Sequence, residues 1–133
     1  MILVDSSVWI DFFRNRPTTK AKWLDKHLDV EDLAVGDLIL AEVLRGFKDD
    51  RGFNETRRLL RRLRQISLCG EDLAVEAARN YRKLRAKGVT VRGTVDLIIA
   101  TRYLADGLQL FHSDKDFEGF EEHLGLRAVH CGV

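Results

Sequence analysis

Apolar residues along this chain come in short dense runs separated by longer stretches with helical spacing. Residues 2 to 5 (ILVD) read as a short buried strand, and 6 to 13 (SSVWIDFF) as a helix that Ser6 or Ser7 caps. Pro17 ends that helix or marks the loop after it. A helix is expected over 19 to 29, with Trp23, Leu24 and Leu28 on one side, and a strand near Leu33 to Val35. Asp37 reads as the N-cap of the next helix, whose Leu40, Val43, Leu44 and Phe47 keep helical spacing. Residues 53 to 64 form an arginine-rich helix carrying Leu59, Leu60 and Leu63, followed by a strand in QISLC. A longer helix runs from Glu71 to Lys87 and stops at Gly88. Thr94 caps the helix DLIIATRYLA, which Gly107 ends. LQLFHS is a further strand, DFEGFEEHLG a short helical segment and LRAVHC a last strand.

Strands separated by helices of ten or more residues make βα units, hence a mainly parallel sheet with helices on both faces. The expected fold is therefore α/β, a three-layer α/β/α arrangement. At 133 residues the chain fits one domain, residues 1 to 133, with no repeat or interdomain linker.

Four acids interrupt this pattern where carboxylates are costly. Asp5 closes MILVD, Glu42 breaks LILAEVL, Asp96 precedes LIIA, and Asp114 follows LQLFHS. Any one of them also reads as a helix cap or a surface charge. All four in the same setting point to a shared cation, because a carboxylate near the core needs a partner. In open parallel sheets ligands bind beyond the carboxyl ends of the strands, where Asp5 and Asp114 fall. Asp96 belongs to a first helical turn, where the helix dipole favours an anion. Whether Glu42 joins them depends on how its helix packs.

Composition narrows the classes. A 45% hydrophobic and 32% charged chain is an ordinary folded one, and no apolar run approaches a membrane span. Asp5 and Asp11 break the stretch a signal peptide would need, so a cytoplasmic protein is expected. Cys69 and Cys131 lack metal spacing and read as core thiols. The formal net charge of +1 hides a concentration of arginines at 51, 57, 58, 61, 62 and 64. That helix either attracts a nucleic-acid backbone or is simply a solvated face. His27, His112, His123 and His130 are scattered, and only His112 is close to one of the acids.

DSSVWIDFF, the AEVLRG helix, TVDLIIATRYLADG and FHSDKDF, in this order, resemble the PIN-domain nucleases, in particular the small VapC toxins of bacterial and archaeal toxin-antitoxin pairs. The resemblance covers essentially the whole chain. It implies that Asp5, Glu42, Asp96 and Asp114 bind Mg²⁺ or Mn²⁺, with Asp116 as an alternative or supporting ligand. Either Asp114 or Asp116 can take the fourth position, and Asp114 is preferred as nearer the strand end. Ser6, Thr94 and Ser113 match supporting hydroxyl positions. Arg92, Lys115, Arg57 and Arg61 are candidate substrate contacts.

The same resemblance implies a metal-dependent endoribonuclease, a homodimer and a small cognate antitoxin forming a hetero-oligomer that meets operator DNA only through the antitoxin. Trp9, Phe12, Phe13, Trp23 and Phe47 are then either core or the lining of an antitoxin groove or dimer interface. Two competing readings remain: a signalling receiver domain, and a PIN scaffold that binds RNA or protein without cutting. The receiver would want a second acid after the first strand, whereas DSS stands there.

Overall fold

The computed structural model describes residues 1–128, apart from the side chain of Asp116. A four-stranded parallel sheet is built from β1 (Ile2–Val4), β2 (Leu33–Gly36), β3 (Arg64–Ile66) and β4 (Gln109–Phe111), in the order β3-β2-β1-β4. The helices are α1 (Ser6–Phe13), α2 (Thr19–His27), α3 (Asp37–Leu44), α4 (Asp50–Arg61), α5 (Glu71–Ala86), α6 (Thr94–Asp106) and α7 (Glu118–Leu124), with a short 3₁₀ turn at Lys115–Phe117. Leu3 lies opposite Ala34 on one side and Leu110 on the other. These residues, with Val4, Val35 and Phe111, are buried in one continuous core. The apolarity of β1 and β2 thus follows from cover on both faces, whereas the edge strand β3 is largely exposed.

Two buried polar ties set how α6 sits. Tyr103 donates its hydroxyl to the carbonyl of Leu3 at 2.8 Å, joining α6 to β1. Asn80 donates to Thr101 Oγ1 at 3.1 Å, joining α5 to α6, and the Thr101 hydroxyl is satisfied by Leu97 O. Left-handed Gly88 and Gly107 stop α5 and α6, as the sequence indicates.

The caps differ from expectation at α1, α3 and α6. Asp5, rather than Ser6 or Ser7, caps α1, and its side chain accepts from the Ser7 amide. Gly36 and Gly93 hold the extended N-cap positions, so Asp37 and Thr94 are the first helical residues. At α1 and α3 the chain turns straight out of the strand, which brings the helix start forward by one residue. Asp37 Oδ1 instead accepts from Leu38 N and from Leu68 N across the sheet, fastening the segment after β3.

α4 starts three residues earlier than expected because Asp49 caps it. The third strand is Arg64–Ile66 rather than QISLC: pairing of Arg64 with Ala34 and Gln65 with Val35 sets its register. Cys69 is exposed, against the expectation of a core thiol, because it lies beyond the end of that edge strand. Of the expected last strand, Ala128 bridges Leu110, while His130 and Cys131 lie outside the described residues.

Gly36 has no room for a side chain. An added Cβ would stand 2.3 Å from Leu68 Cδ1 and 2.5 Å from its Cγ, and Leu68 is fully buried. Gly36→Ala should therefore cost about 2 kcal/mol, within the usual range for overpacking. At a typical unfolding entropy per residue that lowers Tm by roughly 7 °C. Thermal unfolding of the two proteins checks this, and an unchanged Tm would mean that Leu68 repacks freely.

Candidate active site

β1 delivers Asp5 to the carboxyl edge of the sheet, where the carboxylate is 1% exposed. Its Oδ2 accepts from the Ser7 amide at 3.0 Å and the Ser7 hydroxyl at 2.7 Å. Its Oδ1 is buried and has no hydrogen-bond partner among the described residues. β4 runs beside β1, and the Asp5 amide donates to Phe111 O, so residues 112 to 114 emerge alongside the start of α1. There the Ser113 amide donates to Ser7 Oγ at 3.2 Å. Ser7 therefore links the first acid to the loop that carries Asp114.

α3 packs against α1 and brings Glu42 over, where its Oε1 accepts from Ser6 Oγ at 3.1 Å. Asp96 is the third residue of α6 and shares a helical stripe with Ile99, Ala100 and Tyr103, spaced i, i+3, i+4 and i+7. Those three are buried and Tyr103 reaches β1, so the stripe carries Asp96 on its inward side at the amino end of α6.

Burial is the largest cause raising the carboxyl pKa of both Asp5 and Glu42, and each is raised further by Asp114. Hydrogen bonds from Ser7 oppose the shift at Asp5, and the bond from Ser6 opposes it at Glu42. Glu42 also feels Asp5, which raises it, and Arg45, which lowers it. Three acids are thus within electrostatic reach of one another.

Among the described residues, no three His, Cys, Asp or Glu side chains are grouped closely enough to hold a metal ion by themselves. A divalent ion here would take waters and substrate oxygens for the rest of its shell, as Mg²⁺ does. The bare, buried Oδ1 of Asp5 is an oxygen of the kind such an ion needs.

A family model described as the PIN domain matches residues 2–122. The chain belongs to the PIN-domain family. It is similar to a protein named VapC ribonuclease Mb1587 from Mycobacterium bovis, 32% identical over 134 residues, covering 97% of this chain and 98% of that one. Ribonuclease VapC11 of Mycobacterium tuberculosis is similar to the same degree. Among solved structures, VapBC2 from Rickettsia felis, bound to a DNA fragment from its promoter, superposes with a TM-score of 0.75 at 19% identity over 97% of this chain and 98% of that chain. A toxin-antitoxin complex from Klebsiella pneumoniae gives 0.72 at 21% identity, covering 98% of each chain. These structures share the fold. With PIN-family membership, the receiver-domain alternative is set aside.

In this PIN domain Asp5, Glu42 and Asp114 are within electrostatic reach of one another, and Asp96 lies in the first turn of α6. Ser6 supports Glu42 directly. Thr94 and Ser113 are exposed, and the Ser113 amide donates to Ser7 Oγ. Arg92 and Lys115 are exposed beside Thr94 and Asp114, at the edge where the acids gather.

Arg57 and Arg61 are exposed on α4, which leads into the start of β3. Arg62 there stands 4.0 Å from Asp29, and Arg64 pairs with Asp32 just before β2. That is the amino edge of the sheet, so Arg61 lies at the end opposite the acids. Closer cations are Arg45, which acts on Glu42, and Lys20, whose ammonium donates to His112 O. Arg45 follows Glu42 by three residues and was legible as a helical neighbour. Lys20 and Ser7 act across the fold and left no such signal.

The PIN domain should gain stability from Asp5→Asn when no metal is present. Asn still caps α1, while the buried negative charge is removed. Because burial holds the Asp5 pKa of the folded protein above an aspartate's ordinary value, ionising Asp5 destabilises the fold as pH rises beyond that ordinary value. The variant's advantage should be present at pH 7 and shrink as pH falls toward about pH 3, below the unfolded aspartate's ordinary value of about 3.9, where the acid is protonated in both states. Urea unfolding in EDTA at both pH values measures it, and a less stable variant at pH 7 would contradict the assignment.

Proposed function

We propose that the chain is a metal-dependent endoribonuclease, the toxin of a type II toxin-antitoxin pair. The observation that carries this reading is the unpartnered, buried Oδ1 of Asp5 in reach of Glu42 and Asp114. The relatives named VapC ribonucleases, similar over nearly the whole chain, support the RNA substrate and the toxin role. Asp5, Glu42, Asp96 and Asp114 would hold Mg²⁺ or Mn²⁺, with Asp116 in support. When bound, the ion supplies an activated water and neutralises charge on the phosphate undergoing cleavage.

The protein's own groups prepare that site. Ser7 holds Asp5 through two hydrogen bonds and so leaves the other oxygen free to face the ion. Ser6 restrains Glu42. Lys20, Arg45, Arg92 and Lys115 offset the acids and draw the RNA backbone to an edge that would otherwise repel it. Arg57 and Arg61 would serve only RNA that extends around α4.

A groove beside Glu42, lined by Ile10, Phe13, Arg14, Val43, Arg45 and Phe47, is the place for an antitoxin segment. In it Phe13 meets Phe47 edge-on with ring centres 6.1 Å apart. Structural relatives solved as toxin-antitoxin complexes, some with DNA, support a hetero-oligomer that reaches operator DNA through the antitoxin. A homodimer and a cytoplasmic location complete the reading. Among the described residues no helix is long and apolar enough to cross a membrane.

Sequencing RNA ends after brief induction tests the assignment. The wild type should create new ends at a small set of positions, and Glu42→Gln should not. Identical end profiles from both would refute nuclease action at this site.

A further inference from the structure

The loop after β4 is fastened at three successive residues, and one fastening is a histidine ring outside the acid cluster. His112 is 7% exposed and its ring packs on Phe117 with centres 4.8 Å apart. Its Nε2 lies 2.6 Å from Glu121 Oε1, on α7. The Asp114 amide donates to its Nδ1 at 3.3 Å. An imidazole nitrogen that accepts carries no proton, so the ring's one proton is on Nε2 and is donated to Glu121. The His112 carbonyl takes the Lys20 ammonium, and the next amide, that of Ser113, is held by Ser7. Glu121 therefore orients the ring, and the ring orients the backbone of Asp114.

We propose that His112 is a positioning residue for Asp114, with Glu121 fixing the ring, so that the fourth acid is presented to the divalent ion in a set orientation. The proposal rests on the metal-dependent reading of the site. It gives the buried histidine a role without placing it in contact with substrate or ion. Groups that orient metal ligands from one shell out commonly govern affinity by about ten- to a hundredfold.

Two substitutions separate the ring's two contacts. His112→Gln can place an amide nitrogen near Nε2 and still donate to Glu121, but offers nothing at the Nδ1 position. His112→Asn can place an oxygen near Nδ1 to accept from Asp114, while losing Glu121. Each variant gives up one hydrogen bond, so a merely structural ring would make them equivalent. The probe is Mn²⁺ alone, followed by its electron paramagnetic resonance signal in a titration of the full chain, with thermal unfolding measured beside it.

His112→Gln should weaken Mn²⁺ binding by about tenfold or more, and His112→Asn clearly less, at similar Tm. Equal affinities for wild type and both variants would overturn the proposal, as would equal losses that follow the loss in Tm. If a His112 variant does not fold, Glu121→Ala and Glu121→Gln replace the pair. Loss of Mn²⁺ affinity in the first with retention in the second supports the clamp, and indifference in both refutes it. A wild type that binds no Mn²⁺ removes the metal reading and the proposal with it. Mn²⁺ binding that distinguishes the variants in a protein that leaves RNA intact would keep the clamp and discard the nuclease.

Discussion

Asp96→Asn should lower kcat/KM for RNA cleavage by more than about a hundredfold, beyond what loss of an outer-shell partner of a metal ligand ordinarily costs. Asp96 occupies the first turn of α6, on the stripe whose Ile99, Ala100 and Tyr103 are buried, so it faces inward at the carboxyl edge of the sheet. Asparagine keeps the size and removes the charge that would hold the ion. The helix-dipole part of the structural cost is small, about 0.3–1 kcal/mol for an acid in the first helical turn. Tm should therefore fall by only a few degrees, while cleavage is lost. Cleavage at the wild-type rate by a folded Asp96→Asn protein would remove Asp96 from the site. It would leave the ion to Asp5, Glu42 and Asp114, with Asp116 in support.

Chelation should stop cleavage completely, and added Mg²⁺ or Mn²⁺ should restore it where Ca²⁺ does not. The acids provide oxygen ligands for part of a shell, the mode in which Mg²⁺ is bound while keeping waters and substrate oxygens. Ca²⁺ takes more ligands at longer distances and holds them in a looser geometry, which suits orientation of an attacking water poorly. The loss should be reversible, because core packing around β1 and β4 holds the edge together without the ion. Cleavage is followed in excess EDTA and after readdition of each metal. Undiminished cutting of RNA by metal-stripped protein would point to catalysis by the side chains alone.

Much of the architecture was written locally. Apolar runs of strand length, helical stripes such as Leu40, Val43 and Leu44, and glycines at 88 and 107 each express preferences that act over three or four residues. The four acids stood out because the residues around them were apolar, and the order of their motifs was enough to identify the family. Element boundaries were less legible where two neighbours competed for one role. At Asp5 and Ser6 and at Gly36 and Asp37 the strand preceding the helix decided which residue became the cap, and at Gly93 and Thr94, after the loop that follows α5, the cap also fell one residue early.

The site itself is a product of tertiary structure. Ser7 meets the Ser113 amide across 106 positions in the chain, and Lys20 meets His112 across 92. Neither contact has a periodicity to betray it, because both depend on β1 and β4 lying side by side. The arginines of α4 show the converse: clustered in sequence, they lead toward the amino edge, where Arg62 and Arg64 face Asp29 and Asp32. Sequence alone supplied the acids, the fold class and the family resemblance, since side-chain chemistry and short-range periodicity are carried by the residues themselves. Only the folded sheet decided which cations neighbour the acids, which Asp5 oxygen is left bare and which histidine holds Asp114, because burial and strand register are properties of the whole chain packed together.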